Sequence, residues 1–474
     1  MSRRKIIFFE LNEVPFRIID EYCRRHPHSF LAKRLSECQQ YETYSEDKIL
    51  SPWVTWPTVH RGITDAHHHI HHFGQDLSKA DREFPPIWKI LSSRGVKTAV
   101  FGSLHSYPPP PASERYAFYV PDSFAAGSEC FPERLSCFQK FNLFLASRSS
   151  RNVSSDIPWN LAFRLLRNLP SLGIRTTTLL EIAQHLLSER IHPRKRIRRR
   201  TYQVVLAFDI FVKQLRTTEP DFATFFTNHV ASSLHRFWAA AFPKDYKEFK
   251  YDRGWVSEYR DEIDFTMGKF NLFFTELVHF LEEHPDYVLW VTSSMGQDAT
   301  TAEPLETQLY VVDLAKFMDA LGVASGEWSQ RASMAPTVSV YVVDHKVEQF
   351  RTALDHLSID GHPVEYDEQV KGFFSLSFGQ ANLDSKSFYA VLQGRRVDFD
   401  QLGLGNVKIE DKTNTNAYHV PTGSLLVYDP KDRSPKQGRT RVSTLEIAPT
   451  ILQNFSVEVP PYMVSSPEIV AAKR

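Results

Sequence analysis

The sequence predicts an α/β protein: a mostly parallel central sheet flanked by helices, carrying a helical cap region and a small α+β insertion. Three observations lead there. Short apolar runs at Lys5–Glu10, Val96–Phe101, Phe222–Asn228 and Tyr287–Thr292 read as strands buried on both faces. Stretches with helical spacing of apolar residues alternate with them. Several runs also end in polar residues, as strands do where their C-terminal ends border a site.

In order, Lys5-Ile-Ile-Phe-Phe-Glu10 is the first strand, with a polar end at Glu10 to Glu13. Apolar positions at helical spacing predict a helix from about Pro15 to Cys38. A short helix at Ile87–Ser93 precedes the strand Val96–Phe101. Ser106-Tyr-Pro-Pro-Pro-Pro111 interrupts the alternation and opens an irregular region to roughly Pro158, after which helices run to about Thr217. Core character returns at Phe222–Asn228, then a long helix from about Val256 to Glu283 leads into the strand Tyr287–Thr292. Val338–Val343, Val347–Leu357 and Gly372–Phe378 read as strand, helix and strand of an inserted unit. Gly423–Tyr428 and a helix near Leu445–Phe455 close the chain. The expected division is core 1–120, cap 121–217, core 218–308, insertion 309–402 and core 403–474.

Composition narrows the function classes. The 56 basic and 56 acidic residues balance, so no global field draws the chain to nucleic acid or an anionic membrane. Four cysteines without a C-x-x-C pair favour a reduced, cytoplasmic protein. The apolar run Ile6–Phe9 is too short for a signal segment, and nothing approaches the ~20 apolar residues of a membrane span. The cluster Arg194-Lys-Arg-Ile-Arg-Arg-Arg200 could contact a polyanion, but a solvated helix face is the favoured reading.

The stretch Ser51-Pro-Trp-Val-Thr55-Trp-Pro-Thr-Val-His60-Arg-Gly62 is the most informative. It sets a hydroxyl, Thr55, before a Trp-Pro pair at an expected junction of strand or turn with helix. There a nucleophilic oxygen can face amides that hold an anionic ester. Thr55-Trp-Pro-Thr, Gly62 and His68-His69-Ile70 together resemble the nucleophile segment of the alkaline phosphatase superfamily, in its nucleotide pyrophosphatase and type I phosphodiesterase branch. In that branch the reactive Thr precedes Phe-Pro-Asn, and a Gly and a His-Gly-Ile segment follow. Thr444–Leu452 resembles the family's closing helix, and Tyr418-His419-Val-Pro-Thr-Gly423 its late metal-ligating segment. Val291–Gly296 falls at its Thr-Ser-Asp-His-Gly, and Ala231-Ser-Ser-Leu-His235 where it has an Asp and, four residues on, a His.

The resemblance implies an alkaline phosphatase-like fold, attack by Thr55 on a small anionic ester, and divalent cations. It also shows departures. The first-strand Asp appears as Glu10, the middle Asp falls at Ala231, and the Asp-His pair becomes Ser294-Met295. What survives supports one divalent cation, Zn or Mn, on His235, His419 and Glu10, and not a full dinuclear site. Glu10 is also the expected activator of Thr55. Asn12, Glu13, His60, Asn228, His229 and Asp298 stand near the motif positions as substitutes. Asn12, His60, Asn228 and His229, with Ser293, Ser294 and Gln297 as hydroxyl and amide donors, are expected to bind the substrate. The tract His67–His72 aligns with a turn that is largely structural.

The leading expectation is a hydrolase or transferase of a phosphate-ester, phosphodiester or sulfate-type group. One alternative is a catalytically degenerate binding or scaffold protein that keeps the pocket. The other is a metal-independent group transferase.

Overall fold

A computed structural model describes residues 4–147, 160, 163, 168–333, 336–383, 389–464 and 469. The part of the expected cap at 148–159 lies outside the described residues. The architecture is the expected α/β class. Strand β1 (Lys5–Leu11) occupies the middle of an eight-stranded sheet with β2 (Gln39–Tyr44), β3 (Thr98–Phe101), β4 (Phe118–Val120), β5 (Phe222–Thr227) and β6 (Tyr287–Thr292). After the short β7 (Gly296–Ala299) and β8 (Ala417–Val420), which pair with each other, β9 (Leu425–Tyr428) and β10 (Thr440–Ser443) complete it. The order is β10-β2-β9-β6-β1-β5-β3-β4. β9 runs antiparallel to β6 and β2, and every other pairing in the sheet is parallel.

Side chains alternate along β1, and this decides the layers. Ile7, Phe9 and Leu11 face one core with helices α1 (Phe16–Arg25), α3 (Arg199–Thr218), α4 (His229–Ala241) and α5 (Glu262–Glu283). Ile6 and Phe8 face a second core with α2 (Pro52–Arg61) and α6 (Ile447–Asn454). The segment from Leu309 to Leu404 packs around a third core of its own, built on Phe317, Val340, Phe350 and Phe374. At the sheet's lower edge Arg4 is buried and donates to both oxygens of Asp429 at 2.9 and 2.7 Å, tying the entry of β1 to the end of β9.

Several boundaries differ from expectation, for local reasons. The helix expected to reach Cys38 stops at Arg25, because Pro27 disfavours helical backbone at His26. The chain resumes as the short helix Phe30–Arg34, then enters β2, which the sequence pattern did not reveal. The helix expected over 256–283 is two, Arg253–Tyr259 and α5. No helix among the described residues is long and apolar enough to cross a membrane. The four cysteines are unpaired.

Candidate metal centre and nucleophile

Three parallel strands deliver the site. β1, β5 and β6 end side by side, so Asn12–Glu13, Asn228–His229 and Ser293–Ser294 emerge at one edge of the sheet. Directly after β1, Glu13 takes a left-handed backbone (φ 58°), a conformation costing a non-glycine residue roughly 1–2 kcal/mol. Strain of this kind clusters at functional sites. It turns a buried carboxylate toward α4 and β8, where two imidazoles converge on it. Nε2 of His235 lies 2.8 Å and Nε2 of His419 3.3 Å from Oε2 of Glu13.

Each imidazole is held from behind. Nδ1 of His235 donates to the Ala417 carbonyl at 2.7 Å, and Nδ1 of His419 to the Leu50 carbonyl at 2.6 Å. With Nδ1 protonated on both rings, the Nε2 atoms are the ones presented to a ligand. The carboxylate is braced as well: Asn12 donates to Oε1 at 2.7 Å and Gln297 to Oε2 at 2.5 Å. Gln297 reaches this point because it stands opposite His419 in the β7–β8 ladder. That ladder is close: a Cβ on Gly296 would lie 2.1 Å from the Thr422 carbonyl oxygen.

The electrostatics follow from the geometry. Burial works to raise the Glu13 pKa, but the charges and hydrogen bonds of His419 and His235 hold it well below the usual carboxylate range. For His419, burial opposes the charged form, yet Glu13 beside it raises the pKa. The three ligand atoms lie within 4.8 Å of one another. Two imidazole nitrogens and a carboxylate oxygen form a donor set that zinc takes in open, catalytic sites. His235 keeps 23 % of its side chain exposed, so the cluster has a solvent side. The residues present fit one divalent cation.

Glu10 does not belong to this cluster, contrary to expectation. Its parity along β1 matches Ile6 and Phe8, so its side chain points to the α2 face. There Oε1 lies 2.9 Å from Nε2 of His60 and accepts from Ser103 at 3.1 Å. His60 is thereby spent on Glu10 and packed against Trp56 and Trp88 rather than turned toward a substrate. The relocated carboxylate is Glu13, one residue past Asn12 and free of the strand's alternation. An acidic side chain immediately beyond a strand end, between Asn12 and Val14-Pro15, was the available signal.

Thr55 is not at the junction itself. The helix starts one turn earlier, with Ser51 as N-cap and Pro52 in the first turn. The amides of Val54 and Thr55 both donate to the Ser51 carbonyl, at 2.9 and 2.8 Å. Thr55 is 0 % exposed, and Oγ1 donates to the Ser51 carbonyl at 3.2 Å and lies 2.8 Å from Oγ of Ser294. Neither partner is Glu10. Pro57 lacks the amide that would meet the Trp53 carbonyl, and Nε2 of His105 donates there instead, at 2.7 Å. Two bridges connect this helix to the cluster. Trp56 donates to Asn12 Oδ1 at 2.7 Å, and Leu50, just before the cap, holds His419.

The remaining expected residues divide. Asn228 accepts from Asn12 at 2.7 Å and so borders the cluster. His229 turns away: Nδ1 meets Thr227 Oγ1 and the ring packs near Phe273. Ser293 is structural, donating to the Val14 carbonyl at 3.1 Å and accepting from the Ser424 amide at 2.8 Å. Ala231 contributes only its carbonyl, to Gln297 at 3.1 Å, and Met295 is buried. Asp298 is on the surface, paired with Arg17. In the histidine tract, the Ile70 amide donates to Nδ1 of His68, whose Nε2 lies 3.0 Å from Thr58 Oγ1. His72 pairs with Asp367.

No protein-family model matches the chain, and no curated protein matches it. Among solved structures it is similar to murine ectonucleotide pyrophosphatase/phosphodiesterase 5, at 10 % identity and a TM-score of 0.42, over 97 % of this chain and 96 % of that one. The human ectonucleotide pyrophosphatase/phosphodiesterase 5 gives 11 % identity and a TM-score of 0.39, with the same coverage. Phosphonoacetate hydrolase from Sinorhizobium meliloti 1021 in complex with phosphonoformate gives 13 % and 0.40, over 96 % of both chains.

Proposed function

We propose that this protein is a hydrolase or transferase of a small anionic ester, of the phosphate-ester, phosphodiester or sulfate type. Thr55 is its nucleophile, and one divalent cation, Zn or Mn, sits on Glu13, His235 and His419. The observation that carries this is the convergence of two Nδ1-anchored imidazoles on one buried, strained carboxylate. Bound there, the cation supplies Lewis-acid polarisation of an ester oxyanion. The chain's own residues do the positioning. Ser294 fixes the direction of the Thr55 hydroxyl, Trp56 and Asn12 hold helix and carboxylate in register, and Gln297 keeps Oε2 turned to the imidazoles. Ser294 and Met295 offer no second set of ligands, which supports a single cation.

One observation favours a second reading, a binding protein that keeps the pocket. The Thr55 side chain is wholly buried and hydrogen-bonded. Elemental mass spectrometry of protein purified without chelator tests the metal centre. About one equivalent of Zn or Mn is expected, and Glu13→Gln should weaken its retention by more than about a hundredfold with the fold intact by circular dichroism. Wild-type protein that stays metal-free after incubation with Zn and with Mn would sink the metal centre. It would leave a structural His–Glu–His ion cluster. Turnover on a phosphodiester panel then separates enzyme from binding protein.

A further inference from the structure

The basic cluster of the sequence has two fates. Arg194, Arg196, Arg198 and Arg199 pair with carboxylates of Glu258, Glu410, Glu262 and Glu189, so most of the cluster is neutralised at the surface. Arg200, the second residue of α3, turns inward. Its Nη1 donates to Oγ of Ser232 at 3.0 Å. Ser232 matters because of where it sits. Asn228, Ser232 and His235 fall at i, i+4 and i+7 along the start of α4, on one stripe. They are half-buried, whereas His229, Val230, Ala231, Ser233 and Leu234 around them are buried. Asn228 contacts Asn12, and His235 contacts Glu13, so this stripe is the wall of the site. Arg200 therefore brings a guanidinium to Ser232, which stands one turn before His235 on that helix face. Burial pulls its pKa down to about 10, with Tyr310 acting against that, so the charge is held there at a cost and remains at neutral pH.

We infer that Arg200 is a substrate-recognition residue, binding a second oxyanion of the substrate (phosphate, sulfate or carboxylate) beside the group that is cleaved. The inference rests on the proposed metal centre and names the substrate class: esters that carry a second anionic group over esters that carry only the group cleaved. A guanidinium presents several donors in one plane, which suits an oxyanion, and a charge-assisted pair in a desolvated wall is strong. Ser232 positions it from below.

Isothermal titration calorimetry on the full chain, saturated with the metal it retains, tests this with inorganic pyrophosphate and inorganic phosphate. Wild type should bind pyrophosphate about tenfold tighter than phosphate. Arg200→Gln should lose about that factor for pyrophosphate and leave phosphate within about twofold, and Arg200→Lys should recover part of it. Equal losses for both anions, or no loss for either, would overturn the assignment. A wild type that holds metal but prefers neither anion would also overturn it while leaving the metal centre standing. A wild type that holds no metal and binds neither anion would remove the centre itself.

Discussion

Two carboxylates three residues apart, Glu10 and Glu13, show how one residue's parity settles its chemistry. Glu10 lies inside the strand and is committed to the α2 face, where its contacts are His60 and Ser103. Glu13 lies beyond the strand, and its left-handed backbone frees it to face α4. At the same scale stands the proposed nucleophile. Thr55→Ala removes one buried hydroxyl and two hydrogen bonds, so stability should fall by about 1–3 kcal/mol. On the proposed function, ester cleavage by the metal-loaded protein should fall more than about a thousandfold. Equal turnover in variant and wild type would remove Thr55 from the mechanism. Thr55 and the two histidines stood out in the sequence because the segments that carry them resemble the motifs of a known family. Glu13 stood only among several substitutes, because a carboxylate just beyond a strand end is a weak signal without the segments that meet it.

Between elements, the pairing of β7 with β8 does most of the positioning. It sets Gln297 opposite His419, and it is close enough that Gly296 has no room for a side chain. Gly296→Ala places a methyl against the Thr422 carbonyl, which must move. An expected cost of about 1–3 kcal/mol in urea denaturation should accompany weaker metal retention, because the same shift displaces Gln297 and His419. Unchanged retention with lowered stability would show that the ladder does not position the centre. These short strands were illegible in the sequence: four residues with partly exposed faces carry no period. Proline effects were legible in principle. Pro27 ends α1, whereas Pro57 is absorbed inside α2 because His105 satisfies the carbonyl it leaves open.

The whole molecule has a pH dependence that follows from buried neutral histidines. Burial lowers the pKa of His68 to about 2, and of His105 and His229 to about 3. The unfolded chain protonates these groups near their ordinary value of 6.5, so their contribution is full above that pH and is lost as the pH falls. At pH 5 each has lost about 2 kcal/mol. Asp47 and Asp122 act in the opposite direction: burial raises both to about 6, so each adds about 1.4 kcal/mol between pH 7 and pH 5. For these five groups the balance is a net loss of roughly 3 kcal/mol. Calorimetric melting should therefore occur at lower temperature at pH 5 than at pH 7. A higher melting temperature at pH 5 would contradict the burial of these rings. Among the described residues three large cores divide the fold at this scale, two on the faces of the sheet and one in the segment from Leu309 to Leu404.

By itself the sequence determined the fold class and the identity of the central strands, and it pointed to the neighbourhood of the proposed chemistry. Continuous apolar runs leave no alternative to burial on both faces, and polar strand ends must collect at one edge. The tertiary structure alone decided which carboxylate meets the histidines, that Thr55 sits a turn inside its helix, and that Arg200 leaves its basic cluster for the site wall. Each of these depends on a contact between segments far apart in the chain: Glu13 with His235 and His419, Thr55 with Ser294, Arg200 with Ser232. Spacing along a strand or helix reports only which face a side chain occupies. It does not report what another segment, hundreds of residues away, brings to that face.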